Sequence, residues 1–100
     1  MRRGFGDVER EWNQFLALPF PSQAYDLFDS EVVEIDTFSA GCIDTYLKNK
    51  GILDRQRIDV LRKCKEDLQP MIGELDGETR EYFHRLFALC EIVLANVDES

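Results

Sequence analysis

Apolar positions recur at helical spacing along most of the chain, and in the second half they do so without a break. Leu61, Cys64, Leu68, Met71 and Leu75 follow one another at gaps of 3, 4, 3 and 4, and Phe83, Leu86, Cys90, Val93 and Val97 repeat that series. On a helix this spacing lines up one seam that faces a neighbouring helix. Tyr82, Phe87, Leu89 and Leu94 broaden the second seam. Between the two, Leu75-Asp76-Gly77-Glu78-Thr79 combines a turn with a helix cap. Two seams joined by so short a turn predict an antiparallel hairpin of helices over about 54–75 and 77–96. Asp54 is placed to cap the first of them, with Leu53 and Ile58 as a hydrophobic staple. Pro70 removes one helical hydrogen bond, so the helix either kinks there or ends nearby and resumes as a short turn; the apolar register continues through Met71, Ile72 and Leu75, which favours a kink. Asp59 with Lys63, Arg62 with Glu66 and Lys63 with Asp67 are candidate ion pairs on the wet side.

The first half is less regular. Val8, Trp12, Phe15 and Leu16 form one stripe, so a helix is expected over 7–18, capped by Asp7 and stopped by Pro19. Another is expected over 36–50, with Phe38, Cys42, Ile43, Tyr46 and Leu47 as its buried stripe and Gly51 as its left-handed exit. Residues 19–35 between them read as an irregular acidic loop or a short helix, with Ser22 as a candidate cap. Glu31-Val32-Val33-Glu34-Ile35 has strand-like residues, but a single strand cannot satisfy its own backbone unless a second chain pairs with it. The fold class is therefore all-α. It is a small helical bundle in one domain, 1–100, with the C-terminal hairpin packed by the helices near 7–18 and 36–50.

Composition narrows the function. At 100 residues and 44% hydrophobic, the chain supports one modest core. Charged residues make up 32%, and the net charge is −8. That charge is laid out in blocks: +1 over residues 1–10, −7 over 11–47, +5 over 48–65 and −7 over 66–100. Residues 11–47 contain no lysine or arginine at all. Within them, Asp26, Asp29, Glu31, Glu34 and Asp36 are the candidate partner-binding residues, because a face of one sign steers a partner of the other. The basic block suggests nucleic acid less than its count implies. Several of its cations have acidic neighbours one turn away, and the chain as a whole repels phosphate.

Other chemistry is sparse. No apolar run approaches the roughly 18–20 residues that cross a bilayer, and the two arginines at the start have no apolar stretch behind them. The chain is expected to be cytoplasmic, with no membrane partner. Cys42, Cys64 and Cys90 are spaced too widely for a zinc ribbon, and each sits among apolar neighbours at helical spacing, so core packing is expected. His84 is the only histidine and has no partner for metal binding or base catalysis. No phosphate loop, nucleophile elbow, zincin motif, dinucleotide fingerprint or calcium loop occurs. No catalytic, cofactor or metal site is assigned. The expected function is that of a non-enzymatic acidic helical protein acting through another protein, a basic one, in an inhibitor, immunity-type or adaptor role. The alternatives are a homodimer that covers the wide apolar faces of the last two helices, and a small-molecule site between helices near Tyr46, Tyr82, His84 and Cys90.

Overall fold

The computed structural model describes the backbone of residues 4–21 and 23–98 and the side chains of residues 4–21 and 31–97. Four helices follow in order: α1 (Phe5–Leu16), α2 (Gln23–Lys48), α3 (Arg55–Ile72) and α4 (Gly77–Asp98). There is no strand among the described residues. The helices α3 and α4 form the expected antiparallel hairpin, and every residue of both seams is buried. Asp54 caps α3, its carboxylate accepting from the Arg57 backbone N–H at 3.2 Å. The helix runs through Pro70 and ends two residues later at Ile72, short of Leu75. Of the expected ion pairs, Lys63 meets Asp67 at 3.3 Å, whereas Asp59 meets Arg55 and Arg62 instead.

Helix α1 starts earlier than its stripe suggested. Gly4 is the capping residue, and Asp7 lies one turn inside, where its carboxylate accepts from the Gly4 backbone N–H at 2.9 Å. That is the reciprocal half of a capping box, so Asp7 still satisfies a free amide, from a different position. The buried stripe Val8, Trp12 and Phe15 rests mainly on α4, where Phe15 and Phe20 join Tyr82 and Phe83 in one aromatic cluster. Leu16, expected in the stripe, is exposed.

The main correction concerns α2. The helix expected over 36–50 begins at Gln23, so residues 23–35, read as an irregular acidic loop or short helix, are its first half. The cap expected of Ser22 lies outside the described residues. The reason is visible in the burial pattern: Val32, Ile35, Ser39, Cys42 and Tyr46 are all buried, at gaps of 3, 4, 3 and 4. This is a third seam, with a serine in the place of an apolar residue. Phe38, expected in the stripe, is 55% exposed. At 100° per residue it stands about 80° round the helix from the centre of the seam. The seam packs α2 against both α3 and α4.

Helix α2 ends in a pair of left-handed residues, Lys50 (φ 55°) and Gly51 (φ 93°). The Gly51 N–H donates to the Tyr46 carbonyl at 2.8 Å and the Lys50 N–H to the Leu47 carbonyl at 3.2 Å. These two bonds define a Schellman exit in which Lys50, not Gly51, holds the first left-handed position.

Candidate functional site

The five acidic candidates do not form one cluster. Asp26 and Asp29 lie on the first turns of α2, and their side chains are outside the described set. Asp36 faces α4: the Tyr82 hydroxyl donates to its Oδ1 at 2.8 Å. Burial raises the Asp36 carboxyl above its ordinary value, and the Tyr82 hydrogen bond pulls it part of the way back. The same burial, with Asp36 beside it, pushes the Tyr82 phenol well up. Glu31 and Glu34, one turn apart, are exposed on the side that faces α3.

Between α2 and α3 runs a groove. Its wider part encloses about 550 Å³ and is lined by Glu31, Glu34, Ile35, Phe38, Asp59, Val60, Lys63, Cys64 and Asp67. A narrower part of about 370 Å³ continues past Gly41, Thr45 and Arg57. Phe38 and Val60 line both parts, so they mark the waist. Ile35, Cys42 and Cys64 are buried beneath, and the Phe38 ring stands largely in solvent above them. Exposed large aromatic rings beside a cleft are a common mark of a contact surface.

Charge differs between the two parts. Among the described residues, four carboxylates and the Lys63 ammonium line the wider one, while Arg57 is the only charged residue lining the narrower. Asp67 is engaged by Lys63, and Asp59 by Arg55 and Arg62. The side chains of Glu31 and Glu34 make no ion pair or hydrogen bond among the described residues. At the other end Arg57 pairs with Asp54 at 2.7 Å, which draws the Asp54 carboxyl below its usual range. Sequence reasoning pointed to Glu31 and Glu34 but missed Phe38, Val60 and Gly41. The available signals were a phenylalanine off the seam and a glycine in mid-helix.

The residues considered for a small-molecule site lie apart from this groove. His84 is exposed on α4. Tyr46 is buried, with the Phe5 ring 5.7 Å away, and burial raises its phenol. The three cysteines are free and buried. Burial lifts all three thiols, that of Cys90 up to about 12. Ser39, fully buried among them, lies near enough to Cys64 and Cys90 to moderate the rise, but its Oγ reaches no partner in hydrogen-bonding geometry. Among the described residues no three of His, Cys, Asp and Glu stand together so as to hold a metal ion, and no helix is long and apolar enough to cross a membrane. A smaller cavity of about 280 Å³ separates Pro19 and Pro21 from Glu78, Glu81 and Tyr82; Glu81 is engaged there by Arg85 at 2.9 Å.

No protein-family model, curated protein or solved structure matches this chain.

Proposed function

We propose that this chain is a non-enzymatic binding protein of the cytoplasm that holds a basic partner protein in the α2/α3 groove. The observation that carries the reading is the exposed Phe38 ring set beside two uncompensated carboxylates, Glu31 and Glu34. An apolar anchor with a charged rim is how protein interfaces combine affinity with steering. Inhibitor, immunity-type and adaptor roles all use such a surface. Three thiols that remain free suit a reducing compartment. A second copy of the chain is the rival occupant. The apolar seams of α3 and α4 are already buried within one chain, so self-association would have to use another surface than the hairpin, such as the groove.

The test is paired affinity capture at low salt, with the native chain and a Glu31→Gln/Glu34→Gln/Phe38→Ser variant as baits. The reading expects a basic protein that elutes in the early salt steps from the native bait and is missing from the variant. It expects association between the purified pair to slow as salt rises. Identical retention by both baits overturns it. Recovery of the bait alone, with light scattering showing a dimer, overturns it in favour of the second copy.

A further inference from the structure

We infer that the groove is built to receive a helix: an amphipathic segment of the partner, about four turns long, with its lysines and arginines gathered toward the Glu31 end. This inference rests on the binding reading above and specifies the form of the occupant.

Three features point to it. The first is the backbone chemistry of the walls. Both walls are helices whose N–H and C=O groups are spent within α2 and α3, except in the first turn of α3, where the Arg57 N–H is taken by the Asp54 carboxylate. An extended peptide laid between them would find no backbone partners and would bury its own donors unmet. A helix arrives with its backbone satisfied and needs only side-chain contacts. The groove is long enough: from Glu31 to Thr45 along α2 is about 21 Å at 1.5 Å per residue, the length of roughly fourteen residues of helix.

The second is Gly41. It lies in the interior of α2, is exposed, and a Cβ built there meets no heavy atom within 4 Å. Glycine is the poorest helix former after proline, and nothing inside the fold requires it here. Its missing side chain lowers the α2 wall at the narrow part, with Thr37 and Thr45 one turn to either side. A low wall lets a second helix approach closely. Phe38, next to it at the waist, is then the knob that the incoming helix must straddle.

The third is the charge gradient along the groove. In its wider part Glu31 and Glu34 carry no counter-ion while Asp59 and Asp67 are held by Arg55, Arg62 and Lys63, and in its narrower part the one lining charge, Arg57, is paired with Asp54. A complementary helix bears its cations over Glu31 and Glu34 and neutral side chains over Arg57.

The experiment uses the full chain and three synthetic fifteen-residue probes of one design. The first is a helix with leucines at gaps of 3 and 4 and lysines flanking them at one end. The second has the same composition with a central proline in exchange for a flanking residue, which breaks the helix. The third carries glutamate in place of lysine. Fluorescence anisotropy gives the affinities, and amide chemical-shift changes locate the contact. The inference expects the helical probe to move amides within 31–45 and 56–67, the proline probe to bind at least about tenfold more weakly, and the glutamate probe not to bind. It also expects Gly41→Leu to weaken the helical probe about tenfold or more while raising the melting temperature of the free chain, a combination that damage to the fold cannot produce. Equal binding of the helical and proline probes overturns the helix while leaving the basic-partner reading in place. Equal binding of the lysine and glutamate probes, or amide changes outside the groove, overturns both.

Discussion

Replacing Tyr82 with phenylalanine removes one hydroxyl and nothing else, and it severs a polar tie between α4 and α2. The Tyr82 Oη to Asp36 Oδ1 distance is 2.8 Å, and the contact is part-buried. A hydrogen bond to an ionised group contributes about 1.5–3 kcal/mol when it is well shielded, and partial exposure reduces that, so a loss of about 1–2 kcal/mol is expected near pH 7. For a domain of this size that corresponds to a fall in melting temperature of roughly 4–16 °C. The loss depends on pH because of what faces the hydroxyl. Burial raises the Asp36 carboxyl, so the folded chain holds that proton more tightly than the unfolded chain does. Its contribution to stability is therefore fully present below its ordinary value of 3.8 and is lost as pH rises through the elevated folded-state value. Tyr82 offsets part of that loss by donating to the carboxylate. Without it Asp36 titrates higher still, and the gap between the native chain and Tyr82→Phe widens from about pH 4 to about pH 7. Asp36→Asn keeps an acceptor and removes the buried charge, so it unfolds within about 1 kcal/mol of the native chain near pH 7. Urea unfolding of the native chain, both single variants and the double variant, at both pH values, completes the cycle. A Tyr82→Phe cost that is the same at both pH values refutes the reasoning. So does an Asp36→Asn cost as large as that of Tyr82→Phe near pH 7.

Four further outcomes are expected. Gly41→Ala stabilises the chain by about 1 kcal/mol in thermal unfolding, because the new Cβ meets nothing; a loss of stability would mean that the wall at that point is closed. Lys50→Gly relieves a side chain held at φ 55° and adds about 1 kcal/mol, whereas Gly51→Ala, at φ 93°, costs about as much. Ser39→Ala removes a buried hydroxyl without a partner and leaves stability unchanged or raises it by up to about 1 kcal/mol, read by denaturant midpoint. Cys90, wholly buried and with a raised thiol, reacts with a disulfide reagent only at the rate of global unfolding, and more slowly than Cys42 and Cys64 on the groove floor; fast labelling of Cys90 in the native state would contradict its placement.

The seams of α3 and α4 were legible because an apolar residue fills each of their positions, so the 3-and-4 spacing stands out unaided. The seam of α2 is no weaker in the folded chain, but Ser39 occupies one of its positions and breaks the pattern at the point where it would have joined 31–35 to 42–46. The β-branched residues Val32, Val33 and Ile35 added a strand-like local preference, which packing against α3 and α4 overrides. Phe38 misled in the opposite sense. It is apolar and close to a seam, yet it lies off that seam and is exposed. The candidate site was half legible for a similar reason. Glu34 and Asp36 are two residues apart in sequence but about 160° apart round a helix, so one borders the groove and the other is tied to α4. A loop would have kept the acids together; a continuous helix separates them.

The absence of lysine and arginine from residues 11–47 fixes what labelling methods can see of α2. A protease that cuts after lysine and arginine releases residues 11–48 as one fragment, which carries the second half of α1 and the whole of α2. Across the groove, the seven cations of residues 48–65 yield short fragments along the first part of α3. Amine-directed cross-linkers show the same asymmetry, finding Lys63 on the α3 wall and no amine on α2 before Lys48. A partner seated in the groove would therefore be mapped to α3 alone by either method. Among cleavage and cross-linking methods, those directed at acidic residues are the ones that read the wall that holds Glu31, Phe38 and Gly41.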